Sequence, residues 1–357
     1  MAKLTSPEVN ITFVEKAASA ITRSERGVVM LVLIDANTTG VHTCYTVADI
    51  PSTLSTENQG YVSDALKGYQ TAPKKVMVYA MAENTTEAYK TMMTDLERIK
   101  WDWFACPTAE TDGQSTTIAT WIKGLRDTEK LMRKAVLSNT KADNEGVVNV
   151  TASVYDTDGS EIKPEKLTPR IAGIICGTPM SISATYAPLN EYMDCTRYSK
   201  EDADAAVGAG ELIFIFDGEK VKLNRAVNSF TTTTDIKNDS YKKIKIVEIM
   251  DMIYDDIRST CEDSYIGKYA NSYDNKCLLL TAIQAYFNEL IRSAFLSSAS
   301  VSIDLDAQRN YLQSKGEDVD NMTDDEIKEA NTGTRVFLKA SISILDAMED
   351  IDFEIDI

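Results

Sequence analysis

The chain ends on Ile351-Asp352-Phe353-Glu354-Ile355-Asp356-Ile357, which alternates apolar and acidic without exception. A period of two belongs to a strand, and it sends Ile351, Phe353, Ile355 and Ile357 to one face and the three carboxylates to the other. The stretch Arg335–Ile344 has the same character, with Val336, Leu338, Ala340, Ile342 and Ile344 in register. Near the other end, Val9-Asn10-Ile11-Thr12-Phe13 alternates outside any obvious hairpin. A terminal strand carries unsatisfied N–H and C=O groups until something pairs with it, either within its own domain or in a neighbouring molecule.

Between these ends lie continuous apolar runs of a different kind. Val28-Val29-Met30-Leu31-Val32-Leu33-Ile34, closed by Asp35, reads as a strand buried on both faces. Lys75–Met81, Trp101–Ala105, Ala135–Leu137 and Val147–Val150 are of the same type. Helical spacing separates them. Asn84 with Glu87 predicts a capped helix carrying Ala88, Met92, Leu96 and Ile99, and Ile118, Trp121, Ile122 and Leu125 mark the next. Strand–helix alternation implies an α/β layer with a largely parallel sheet. Glu211–Leu223 reads as a hairpin turning at Asp217-Gly218.

After about residue 235 the pattern changes. Ile246, Ile249, Met250, Ile253 and Ile257 predict one amphipathic helix, and Leu279, Ala282, Ile283, Tyr286 and Leu290 a second. Thr323 with Glu326 forms a capping box for a short third helix that Gly333 can close. This second half is α+β.

With 357 residues there is room for one large or two ordinary domains, and net charge is −18. The excess is uneven: Val301–Ile357 holds 15 acidic against 5 basic residues. Such acidity argues against nucleic acid as a partner, which needs clustered Lys and Arg; the Lys242-Lys243-Ile244-Lys245 run reads as a solvated face. No 18-residue apolar run is present to insert into a membrane, and the N-terminus lacks a signal-peptide core, so a product of the cytoplasm is expected. The six cysteines lie at least 16 residues apart without metal-ligand spacing, which suits buried reduced thiols.

Catalytic chemistry finds little support. His42 is the only histidine and sits in a Thr/Gly-rich stretch without a motif. Gly173-Ile174-Ile175-Cys176-Gly177 places its cysteine one position off a nucleophile elbow, and Gly208-Ala209-Gly210 precedes a strand where a dinucleotide loop would follow one. No Walker A or EF-hand spacing occurs. Cofactors and metals are therefore not expected.

One segment is distinctive. Asn224-Arg225-Ala226-Val227-Asn228-Ser229-Phe230-Thr231-Thr232-Thr233-Thr234 resembles the Asn-Ser/Thr-Leu/Phe-Thr-Thr signature of contractile phage tail sheath proteins. The helix from Lys243 to Arg258, the Gly267-Lys268-Tyr269 stretch with Asn271, and the ending Val336–Asp350 are similar to the same family, in the form found in defective-prophage and bacteriocin-type particles of Gram-positive bacteria. Pro169–Gly173 and Ala187–Asn190 also fit, so the likeness is close over the second half and one of layout over the first.

The resemblance implies a non-enzymatic structural subunit that stacks as hexameric rings around a tail tube and contracts to drive that tube through a cell envelope. It implies a mixed α/β fold: an N-terminal α/β layer with subtilisin-like topology but no peptidase site, and a C-terminal α+β domain with exchanged terminal strands. The expected layout is a linking arm over 1–26, an α/β domain over 27–235, an assembly domain over 236–345 and a second arm over 346–357. The subunit interface would then include Val9, Ile11, Phe13, Ile351, Phe353, Ile355 and Ile357. Acidic Asp324, Asp325, Glu326 and Glu329 would face basic patches on the tube. Implied partners are further copies of the chain, the tail tube protein, and baseplate and tail terminator proteins, in a virion tail or tail-like particle assembled in the host cytoplasm. Two other readings stand beside this one: a cytosolic α/β hydrolase-like enzyme using carboxylates, and a secretion-system sheath.

Overall fold

The computed structural model describes residues 20–23 and 26–356. The chain divides into two units, one holding Arg23–Asp255 with the last segment from Ile344, the other holding Asp256–Ser343. Val9, Ile11, Phe13 and Ile357 lie outside the described residues.

The first unit is built on a seven-stranded sheet. Its strands are β1 (Val28–Ile34), β2 (Gly40–Cys44), β3 (Lys75–Met81), β4 (Trp103–Ala105), β5 (Lys134–Ser138), β6 (Val147–Val150) and, after four short strands β7–β10 between Val154 and Cys195, β11 (Glu211–Leu212). The order is β11-β6-β5-β4-β1-β3-β2, with β2 antiparallel to β3 and every other pairing parallel. Strand β1 lies inside the sheet between β4 and β3, and its continuous apolar run is explained by burial on both faces. Val29, Leu31 and Leu33 enter one core, while Val28, Met30 and Val32 enter the other.

Helices α1 (Thr56–Lys67) and α4 (Pro164–Cys176) cover the first of these faces, through Val62, Ala65, Leu167, Ile171 and Ile174. Helices α2 (Thr86–Glu97) and α3 (Ser115–Asp127) cover the second, through Tyr89, Met92, Leu96, Ile118 and Ile122. The result is an α/β/α sandwich, with the expected strands and the two helices read from spacing in place. The cap of α2 differs by one position: Thr85 accepts from Ala88 N, while the Asn84 amide donates to Asp112 at 2.7 Å. Asn84 and Thr85 are both good caps, and Asp112 takes the first of them.

Glycine sets the fit of α4 on α1. A Cβ on Gly173 would stand 2.2 Å from the Ala65 carbonyl oxygen, so only hydrogen lets the two helices approach this closely. Helix α5 (Lys200–Gly208) leads into β11, after which β12 (Phe214–Phe216) and β13 (Val221–Leu223) form the hairpin expected around Asp217-Gly218. The first two residues of that segment instead join the main sheet through β6.

Helix α6 (Ile244–Thr260) begins in the first unit and ends in the second, running on into one π-helical turn, Cys261–Tyr265. The second unit continues with α7 (Tyr273–Arg292), β14 (Leu296–Ile303), α8 (Leu305–Ser314), α9 (Asp324–Glu329) and β15 (Leu338–Ile344). Strands β14 and β15 form a two-stranded sheet of their own. The capping box of α9 is formed, with Thr323 Oγ1 accepting from Glu326 N and Glu326 accepting from Thr323 N. Ala330, rather than Gly333, closes the helix.

Beyond β15 the chain returns to the first unit. Residues 351–356, expected as a strand, join none of the four sheets, and Ile351, Phe353 and Ile355 are 81, 82 and 68 % exposed. Alternation fixes which side chains share a face, but a strand needs a ladder, and among the described residues that segment has none.

Candidate functional site

The distinctive 224–234 segment is a fastening. Asn228, fully buried, donates from its amide to Tyr241 O at 2.7 Å and accepts from Phe230 N at 3.0 Å. Ser229 donates its hydroxyl to Asn144 O, and Ser229 N donates to Val147 O. Thr231 and Thr232 donate backbone N–H groups to Asp143 Oδ1 at 2.7 and 2.9 Å. Burial works against the Asp143 carboxylate, but these donors outweigh it and hold its pKa far below the usual range. The motif thus ties the end of the α/β unit to the loop before β6. Asn271 does similar work in the second unit, donating its amide to Gly333 O and Arg335 O at 2.8 and 2.9 Å just before β15.

A second group lies at the N-terminal ends of β1, β4 and β5. Arg26 and Asp102 precede the first two strands, Lys134 opens the third, and the first half of α6 packs against them. Glu248, Asp251 and Asp255 recur at helical spacing on one face of α6. Arg126 from α3 binds Asp251 bidentately at 2.8 and 3.0 Å, Lys134 reaches Asp251 at 3.0 Å and Glu248 at 2.9 Å, and Arg26 reaches Asp255 at 3.1 Å. Burial opposes the charge on Asp251, yet Lys134 and Arg126 hold its pKa down to about 2. Burial pushes the Asp255 carboxyl up, with Arg26 opposing. Sequence spacing of the acids on α6 could have signalled this cluster; its cations come from positions scattered over more than a hundred residues.

A cavity of about 370 Å³ opens beside this cluster, lined by Arg26, Trp103, Cys176, Ile182, Lys245 and Glu248 among others. Its carboxylates serve the fold. Asp102 accepts from Val28 N at 2.9 Å, and Glu248 accepts from Trp103 Nε1 at 2.9 Å as well as from Lys134. Cys176 ends α4, and burial pushes its thiol well up from the ordinary value. His42 lies on edge strand β2, its Nε2 3.0 Å from Thr39 O. Among the described residues no group of three or more His, Cys, Asp or Glu is placed to hold a metal ion, and no helix is long and apolar enough to cross a membrane.

The third group is the root of the C-terminal segment. Thr185 donates its hydroxyl to Glu349 Oε1 at 2.6 Å, Arg225 Nη2 donates to Asp350 at 2.5 Å with its Nε 3.5 Å from Glu349, and Lys243 pairs with Asp346. The root is held while Ile351, Phe353 and Ile355 beyond it are exposed. The four acidic residues of α9 belong to the second unit. Asp324 pairs with Arg309, Asp325 with Lys328, and Glu326 serves the helix cap. Glu329 is exposed at the end of the helix.

The described residues thus form an α/β body tied together by buried ion pairs and a helix-rich second unit with a two-stranded sheet, and the chain ends in an exposed apolar tail. Two family models match the chain: the phage tail sheath protein central domain over residues 82–229, and the phage tail sheath C-terminal domain over 236–357. A tail sheath protein of Clostridium phage phiCD119 is 39 % identical over 354 residues, covering 97 % of this chain and 98 % of the relative. The chain belongs to the phage tail sheath family.

Solved structures carry the same fold. The crystal structure of a sheath tail protein from Desulfitobacterium hafniense matches with a TM-score of 0.70 at 19 % identity, covering 83 % of this chain and 94 % of that one. The PVC sheath of an extracellular contractile injection system, in its contracted state, matches with a TM-score of 0.66 at 12 % identity, covering 100 % and 98 %. The chain is a structural subunit of a contractile tail sheath, a component of a phage tail or phage-tail-like particle. The carboxylate-enzyme reading finds no support in these relatives.

Proposed function

We propose that the subunits stack as hexameric rings around a tail tube, linked through their terminal arms, and contract to drive the tube through a target envelope. The observation that carries this reading is the tail. Three large apolar side chains on one face of an alternating segment are exposed beyond a root held by Thr185, Arg225 and Lys243. Burial of each contributes roughly 1.5–3 kcal/mol, set against the ordering of the segment. A strand edge is the natural receiver, since it adds main-chain hydrogen bonds for affinity and alternate pockets for register. The β14–β15 sheet offers such edges: among the described residues it has two strands, so each has one side unpaired. Val9, Ile11 and Phe13 would enter a shared sheet in the same way, and Ile357 would complete the C-terminal strand.

Head-to-tail contacts that do not close generate a helical stack, the geometry a sheath requires. In this reading the tube protein, baseplate and terminator are the other partners, assembly precedes release from the host cytoplasm, and the subunit performs no catalysis. Deleting residues 351–357 tests it. The expected result is a folded, soluble subunit that negative-stain microscopy finds as monomers or short oligomers, while the full chain gives tubes or ring stacks. Tubes of normal length from the shortened chain would overturn the arm exchange.

A further inference from the structure

We infer that the ion cluster at the root of the C-terminal arm is a release latch that sets the arm's reach. The inference rests on the arm-exchange reading above and adds a mechanism to it. Two cations of the α/β unit, Arg225 and Lys243, pair with three carboxylates of the segment after β15, Asp346, Glu349 and Asp350. Arg225 contacts both Glu349 and Asp350, and Thr185 adds a hydroxyl bond to Glu349 while accepting from Ala226 N at 3.0 Å. The Glu349 side chain is 8 % exposed, whereas Asp346, Asp350 and their cations are 32 % exposed or more. One seated carboxylate flanked by solvent-accessible ion pairs is a contact that holds in place at rest and opens under load.

Chain length gives the latch its consequence. With the latch closed, the arm beyond it is Ile351–Ile357, seven residues, which span at most about 25 Å when extended. With the latch open, the arm starts after β15 and has thirteen residues, Leu345–Ile357, reaching about 45 Å. Opening a few surface ion pairs therefore nearly doubles the separation that a strand link tolerates, without unpairing the strand from its neighbour. Neighbouring bodies that move apart during contraction stay joined because the root lets out six residues of slack. The composition of the slack suits this use: Leu345, Asp346, Met348 and Asp350 are exposed, and the segment joins no sheet.

The test locks the latch. Thr185→Cys with Glu349→Cys, bridged by a short cleavable thiol-reactive cross-linker, is introduced into the full chain, with the unsubstituted protein treated identically as control. The expected result is that locked subunits still polymerise but their sheaths keep the extended length under a denaturant pulse that shortens control sheaths, and that cleaving the linker restores shortening. Locked sheaths that shorten like the control, or locked subunits that fail to polymerise, overturn the latch. A second variant, Arg225→Ala with Lys243→Ala, is expected to speed amide exchange over 345–350 while leaving exchange in β1, β4 and β5 unchanged; unaltered exchange at the root overturns the inference as well. The 351–357 deletion separates the two levels. If that deletion polymerises normally, the arm reading has failed; if it does not polymerise and the locked chain contracts freely, only the latch has failed.

Discussion

Arg126 and Asp251, 125 residues apart in sequence, face each other through two parallel hydrogen bonds of 2.8 and 3.0 Å, with the Lys134 ammonium on the same carboxylate. Arg126 and Asp251 side chains are 6 and 4 % exposed, and Lys134 is fully buried. Two cations on one carboxylate make the Asp251 charge tolerable here, because an unpaired charge at this depth is strongly destabilising. Asp251→Ala is therefore expected to cost about 3–5 kcal/mol, read as a lower urea midpoint at neutral pH.

The same carboxylate gives a pH dependence of known sign. Its folded-state pKa of about 2 lies below its ordinary value of 3.8, so its contribution is complete above about 3.8 and is lost as pH falls toward 2. Urea midpoints of the parent protein and Asp251→Asn should converge as pH is lowered through that window. A gap that stays constant down to pH 2 would show that Asp251 is not the group responsible.

Two glycines make a paired prediction. In α4, a Cβ at Gly173 meets the Ala65 carbonyl at 2.2 Å, so Gly173→Ala must push α1 away and should cost about 1–3 kcal/mol or more. In α3, a Cβ at Gly124 meets nothing within 4 Å, and Gly124→Ala should stabilise by about 0.5–1 kcal/mol. Thermal melts of the two single variants, shifting in opposite directions, would check the helix packing independently of assembly.

What the sequence makes legible follows from how each element buries its surface. Strand β1 is readable because both its faces enter cores, leaving seven apolar residues in a row. Strand β14 escapes notice: in Leu296-Ser-Ser-Ala-Ser-Val-Ser-Ile303 only the two end residues are buried, and no apolar run or full alternation survives. Helix α4 is hidden for the opposite reason. It is buried nearly all round, which erases the polar stripe, and Pro169 inside it reads as a break. The tail alternation was plain, yet whether a strand forms there depends on a partner that pattern alone cannot supply. The ion cluster on α6 was half legible, through Glu248, Asp251 and Asp255 at spacings of three and four, while the cations that complete it meet only in the fold.

The Asn228 fastening explains why the 224–234 segment keeps its form. Its side chain satisfies Tyr241 O and Phe230 N in a fully buried position. Asn228→Ala leaves both partners without their bond and is expected to cost about 1–3 kcal/mol, while Asn228→Asp replaces a donor with a buried charge and should do worse. Equilibrium unfolding of the two variants checks the order.

The proposed tube-facing role of α9 needs variants chosen by what each carboxylate already does. Glu326 holds the Thr323 cap, so reversing its charge would loosen the helix and confuse loss of fold with loss of contact. Asp324 likewise has Arg309 as a partner. Asp325 and Glu329 are the informative pair: both are exposed, and Asp325 pairs with Lys328 one turn along, a surface pair of small worth. Asp325→Lys with Glu329→Lys should leave the thermal midpoint within a degree or two of the parent, since exposed changes of this kind stay within roughly ±0.5 kcal/mol. If α9 faces basic patches on the tube, the double variant should co-sediment less with tubes at low salt, and the difference should shrink as ionic strength screens the contact. Co-assembly equal to the parent at low salt would remove α9 from the tube interface and leave its acidity as a solvated face.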